Sequence, residues 1–258
     1  EYYLAYRDGH LVGRVAAIIN HRANKRWERQ DVRFGWIDFV DDINVSRALL
    51  SAVEQYGREK GMTHVVGPLG FTDMDPEGML TMGFDQLGTM ATIYNYDYYP
   101  KHMERLGGFE KDNDYVEFKL FVPKTVPEKY AKVASLIEKR YNLHVKKLTK
   151  REIFEEGYGR RIFEIINETF AGLYGYSELT DRQIEQYIGM YFPMADLDLI
   201  TLIEDWNADK KIVGVGITLP SLAKALQKCR RGRLTPFGWW HILRALKFGH
   251  TKIVDLLL

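Results

Sequence analysis

The sequence predicts an α/β chain built from two successive units. Three observations carry this: short strands rich in β-branched and aromatic residues alternate with amphipathic helical stretches, two prolines (Pro123 and Pro127) bracket a linker near the middle, and one hairpin pattern occurs on both sides of it. A length of 258 residues fits one large domain or two of ordinary size. With 46 % apolar and 28 % charged residues the composition is that of a globular protein, neither disordered nor a coiled coil.

The first unit spans 1–122. Tyr2–Arg7 and Leu11–Asn20 read as strands joined by Asp8-Gly9, a favoured hairpin dipeptide. Residues 21–31 are charged and read as a loop. Arg33–Val40 alternates as a strand, and Asn44 then caps a helix through Glu59, whose stripe is Val45, Ala48, Leu49, Ala52, Val53 and Tyr56 and whose stop is Gly61. His64–Val66 is a short strand, and a loop rich in Gly, Met and Asp follows. Tyr99–Leu106 is a helix with Pro100 in its first turn, and Tyr115–Val122 the last strand. The second unit spans 123–258. Its elements are a helix over Glu128–Tyr141, a strand over Val145–Leu148, and helical residues Ile153–Leu173 interrupted near Gly157-Tyr158-Gly159. Thr180 caps a helix over Asp181–Tyr191. Leu199–Asp205 and Ile212–Leu219 form a hairpin around Asn207-Ala208-Asp209, and Ile253–Leu258 is the last strand.

Charge is uneven. The net is +1, yet Lys210–Val254 holds ten Lys and Arg and no acid, leaving −8 on residues 1–209. Such a segment points to an anionic partner or to acidic surface elsewhere in the fold. The lone cysteine, Cys229, excludes an internal disulfide and a cysteine-based zinc site and makes a reducing cytoplasm the expected compartment. No run of 18 apolar residues is present, so no membrane-spanning helix is expected. The start at Glu1, within a strand pattern, and the stop on an apolar run read as cut ends of a longer protein.

The hairpins containing Leu11-Val12-Gly13-Arg14 and Ile212-Val213-Gly214-Val215, the strand–helix–strand at 33–66, and Tyr99–Phe109 (YPKHMERLGGF) before a strand pattern together resemble the GCN5-related N-acetyltransferase superfamily in tandem. The chain as a whole is similar to uncharacterised bacterial proteins assigned there. The resemblance implies two acyl-CoA N-acyltransferase-like units of α+β type. Each would be a mixed, mostly antiparallel sheet flanked by helices, the first lacking its N-terminal part and the second its C-terminal part. It implies acetyl-CoA or another acyl-CoA as co-substrate, a small amine as acceptor and no metal.

The family holds pyrophosphate on a [RQ]-x-x-G-x-[GA] loop at a helix N-terminus, where glycines admit the phosphates and the dipole favours them. The corresponding loop of the first unit, Val40-Asp41-Asp42-Ile43-Asn44, has no glycine and two carboxylates, which repel a phosphate. The second unit is therefore the expected active one. Ile253, Val254, Asp255, Leu256 and Leu257 match the family's cofactor strand, with any cradle expected beyond Leu258. The chain as it stands is accordingly expected to be inactive. The position of the family's general-acid tyrosine falls on Met103, which cannot protonate a thiolate; Tyr98 and Tyr99 are the nearest substitutes.

Other constellations are thin. Asp38, Asp41, Asp42, Asp73 and Asp75 read as solvated loop carboxylates, with a cation or amine site as the alternative. The seven histidines lack metal-binding spacing, Ser221 lacks a glycine elbow, and Glu156–Arg160 reads as a turn. In the basic insertion, Ser221–Cys229 places Leu222, Ala225, Leu226 and Cys229 on one face; Arg230, Arg231 and Arg233 follow, then Trp239 and Trp240. It reads as an amphipathic pair with its basic side in water. The functional alternatives are a lid and anion clamp formed by Lys228, Arg230, Arg231, Arg233, Trp239 and Trp240, a membrane-surface contact, or RNA binding, the last disfavoured. A non-catalytic small-molecule or partner-binding protein on a degenerate acetyltransferase fold remains the competing function. Acceptor identity, acyl length and oligomeric state stay open.

Overall fold

In a computed structural model the chain divides into two compact units, Glu1–Tyr115 with Ala171–Glu178, and Val116–Phe170 with Leu179–Leu258. The structure describes residues 1–193, 195–248 and 252–257; the side chain of Arg231 and residue Leu258 lie outside this set. Each unit contains a four-stranded sheet flanked by helices.

In the first unit the order β1–β2–β3–β4 follows the sequence: β1 (Tyr2–Arg7), β2 (His10–Ile18) and β3 (Asp31–Phe39) are antiparallel, and β4 (His64–Val66) joins β3 in parallel. Asp8 and Gly9 both take positive φ in the first turn, as that dipeptide permits. Residues 21–31, expected as a loop, contain a short helix α1 (His21–Arg26). Asn20 caps it, its carboxamide oxygen accepting from the amides of Arg22 and Ala23. The long helix α2 (Ile43–Glu59) is capped by Asp42, two residues before the expected Asn44. It packs Val45, Leu49 and Val53 on Val15, Val32 and Phe34 of the sheet, and α3 (Tyr98–Leu106) adds Tyr99 to this core.

The strand expected over Tyr115–Val122 does not form. Val116, Phe118, Leu120, Phe121 and Val122 stand exposed, and no described strand pairs with them. Their alternation is a strand pattern without an edge to complete it, and a lone strand cannot satisfy its backbone groups.

The second unit's sheet runs β5 (Leu143–Lys146), β6 (Ile200–Asp205), β7 (Lys211–Pro220) and β8 (Val254–Leu256). Each of its described pairs is antiparallel, so the mixed character expected of both sheets belongs to the first alone. Helix α4 (Glu128–Tyr141) precedes it. The expected break near Gly157 separates α5 (Lys150–Phe154) from α6 (Tyr158–Phe170). Helix α7 (Asp181–Tyr191) starts in a reciprocal cap between Thr180 and Gln183. Between β7 and β8 lie α8 (Ala223–Lys228) and α9 (Gly238–Lys247).

Candidate functional site

The polar groups of the first unit collect at the end of β3. Strand β4 pairs only with Asp31–Arg33, so on that edge the far half of β3 has no described strand beside it. The chain leaving β4 covers the next step: Leu69 N–H donates to Phe34 O at 2.9 Å, and a side chain at Gly35 would run into the Leu69 carbonyl. Two adjacent tyrosines on α3 then complete the edge. Tyr98 Oη donates to Phe39 O at 2.7 Å; Tyr99 Oη accepts from Phe39 N–H at 3.2 Å and donates to Asp38 Oδ1 at 3.1 Å. Burial pushes both phenols above their ordinary range. The two tyrosines named from the sequence are thus side by side at a strand end, with their hydroxyl protons committed to Phe39 O and Asp38.

One turn further along α3, His102 is buried and stacks on Phe39. Its Nδ1 lies 2.9 Å from Ser46 Oγ of α2 and its Nε2 2.9 Å from Asp41 Oδ1. The order Ser–His–Asp is that of a hydrolase triad, but Ser46 is 0 % exposed, so no substrate carbonyl can reach its hydroxyl. The chain Asp41–His102–Ser46 instead fastens α3 to the start of α2. At that start, Asp42 accepts from Asn44 N–H at 2.8 Å and pairs with Arg7 at 2.7 Å. The Asn44 amide foremost, then Arg7, holds its carboxyl below the usual range. This carboxylate takes the Asn44 amide and sets a negative charge where a phosphate would sit.

A second group was not foreseen. Arg33 is buried, donating to Gly70 O at 2.9 Å and Gly175 O at 3.2 Å. Near it Asp73, Glu77 and Tyr115 lie close enough to shift one another's titration. Burial raises Asp73 to about 6 and Glu77 to about 7, the Asp73 charge adding to the latter, while Arg33 opposes both. Such a pair holds one proton near neutrality and can exchange it with a bound base. The signal in the sequence was a charge flanked by Val32 and Phe34 in an apolar strand, together with Glu77 four residues after Asp73. The five aspartates considered together do not gather: Asp38 meets Arg14, Asp41 His102, Asp42 Arg7, Asp73 Glu77, and Asp75 the amides of Phe71 and Thr72. Among the described residues no cluster of three ligating side chains could hold a metal.

In the second unit, Ile253–Leu257 run along the edge of the sheet. Val254, Asp255 and Leu256 pair with Pro220, Leu219 and Thr218, and no described strand lies on their other side. Lys228, Arg230 and Arg233 follow one another, exposed, at the end of α8, and make no ion pair among the described residues. Trp239 and Trp240 open α9 with their rings edge to face at 5.8 Å, both exposed rather than folded over a cavity. Also unforeseen is Glu204, buried and accepting from Tyr158 Oη at 2.7 Å and Trp206 Nε1 at 3.3 Å. Burial, and next the Glu204 bond, raises the Tyr158 phenol.

No family model matches the chain. Two curated proteins are similar to it along nearly its whole length. The "Bacterial ceramide synthase" of Caulobacter vibrioides is 27 % identical over 98 % of this chain and 64 % of its own. Protein YghO of Escherichia coli K12 is 25 % identical over 95 % of this chain and 61 % of its own. The chain therefore spans less than two thirds of the length of the curated relatives it matches. Among the described residues no helix is long and apolar enough to cross a membrane.

Proposed function

We propose that the protein is an N-acyltransferase that joins an acyl group to the amine of a long-chain amino alcohol, with acyl-CoA as donor. The observation that carries this is the similarity to a ceramide synthase over 98 % of the chain. A ceramide is an amide of such an amine, so its synthesis is the N-acylation that the resemblance to acyl-CoA N-acyltransferases implies. The second unit is the proposed donor site. The open edge of β8, Ile253–Leu257, offers backbone groups to the pantetheine amides, and Lys228, Arg230 and Arg233 offer cations to the phosphates. The Asp41-Asp42 start of α2 argues against a phosphate in the first unit.

Amine attack on a thioester needs a neutral amine held against the carbonyl, and positioning is the main contribution such a site makes. The test is mass spectrometry of the protein incubated with palmitoyl-CoA and sphinganine, with spermidine as a control amine. An N-acyl sphinganine made only when protein and acyl-CoA are both present supports the proposal. Acylation of spermidine alone moves the acceptor to another class. Tight sphinganine binding without product, by calorimetry, favours the non-catalytic reading.

A further inference from the structure

We propose that the outer face of α9, with the turn before it, docks on an anionic lipid bilayer. A helix on a protein surface ordinarily turns apolar side chains inward and polar ones to water. Here the outward side chains are large aromatics. Phe237 is 72 % exposed, Trp239 50 %, Trp240 44 % and Phe248 55 %. They form one patch: Trp239 meets Trp240 at 5.8 Å and Trp240 meets Phe248 at 6.2 Å between ring centroids. Inside, Gly238 packs against Cys229 and the Arg233 carbonyl, so the helix is seated on α8 by its other face.

Cations frame the patch. Trp240, Arg244 and Phe248 are four residues apart and share a helical stripe, and Lys247 stands beside Phe248. Arg244 and Lys247 are exposed, and neither makes an ion pair among the described residues. Indole rings favour the level of lipid headgroups, where the ring is sheltered and the N–H wet, and basic side chains around them meet lipid phosphates. The other occupants fit less well. A second copy would bring these cations against one another, and the rings, tilted or edge to face, offer nucleic-acid bases no parallel platform. The inference stands on this surface and not on the acyl-transfer reading, to which it adds a route for a lipid acceptor.

The test is co-sedimentation of the protein with phosphatidylcholine vesicles, with and without phosphatidylglycerol, read beside tryptophan quenching by brominated lipid. Binding is expected only with phosphatidylglycerol, weakening with salt and accompanied by quenching. Arg244→Gln with Lys247→Gln should lower the affinity by at least about tenfold. Trp239→Phe with Trp240→Phe, which keeps the patch apolar, should retain binding and lose most of the quenching. Circular dichroism establishes that both variants fold. Absence of binding, binding unchanged in the charge variant, quenching unchanged in the Phe variant, or displacement by polyuridylate RNA would overturn the proposal. The vesicles contain neither acyl-CoA nor amine, so a failure here leaves the acyl-transfer reading as it was.

Discussion

At the scale of single residues, the far end of β3 depends on one hydroxyl that serves both as acceptor and as donor. Tyr99→Phe removes the partner of Phe39 N–H, in a site too buried for water to replace it, and one partner of the exposed Asp38. A loss of about 1–3 kcal/mol in urea denaturation is expected. Tyr98→Phe should cost less, because its hydroxyl makes one hydrogen bond, as donor, where that of Tyr99 makes two. An unchanged midpoint for Tyr99→Phe would mean that the ring stack on Phe39 holds the edge without the hydroxyl. The Asp73–Glu77 pair makes a separate, pH-dependent contribution. Both carboxyls are raised above unfolded values near about 4, so the native state keeps their protons longer than the unfolded chain does. The stability they contribute is complete below that range and is lost as pH rises through about 6 and about 7. Melting temperature should therefore fall from pH 5 towards pH 8, and Glu77→Gln should flatten the fall. A slope unaltered in Glu77→Gln would put the titrating groups elsewhere. Neither feature could be read from the sequence in full. Arg33 was visible as a charge in an apolar strand, but its acceptor Gly175 lies 142 positions along the chain.

At the scale of elements, local chemistry was legible where it is self-contained. The Asp8-Gly9 turn, the Thr180 cap and the break before Tyr158 are each set by neighbours within a few residues. Helix α1 escaped notice because it has six residues and only Ala23 buried; its Asn20 cap was the available signal. The alternation of Tyr115–Val122 predicted a strand, because periodicity reports which face a segment would bury and is silent on whether an edge is there to receive it. Within the basic insertion, the geometry separates what seats the helices from what faces solvent. A methyl group at Gly238 would collide with the Arg233 carbonyl and crowd the Cys229 sulfur, all inside the α8–α9 hairpin. Gly238→Ala should cost about 1–3 kcal/mol and expose Cys229 to thiol reagents. Arg230→Gln with Arg233→Gln should leave the melting temperature nearly unchanged, since neither side chain is buried or ion-paired among the described residues. Slow Cys229 labelling in Gly238→Ala would show that the hairpin tolerates the extra atom. A marked drop in melting temperature for the arginine pair would make those cations structural.

At the scale of the whole molecule, the order along the chain and the packing are not the same partition. Residues 171–178 follow α6 of the second unit, yet they pack within the first. Tyr176 is buried there, its carbonyl accepts from Trp27 Nε1 at 2.9 Å, and Glu178 pairs with Arg26 at 3.0 Å. The repeated hairpin and the paired prolines suggest two consecutive units in the sequence, but a linear reading assigns each residue to the unit its neighbours occupy, so this return of the chain left no mark in composition. It has a consequence for proteolysis. Residues 116–127 are exposed and outside helix or strand, which makes the backbone beside Lys119 and Lys124 accessible to trypsin. The C-terminal fragment from such a cut would still carry the strand of contacts at 171–178 that completes the first unit. Brief digestion should therefore give two bands in denaturing electrophoresis that elute as one species from a sizing column in native buffer, and separate only when urea unfolds the first unit. Arg33→Ala removes the donor to Gly175 O and should lower the urea concentration at which they part. Separation of the fragments in native buffer would mean that residues 171–178 contribute too little to hold the nicked chain together.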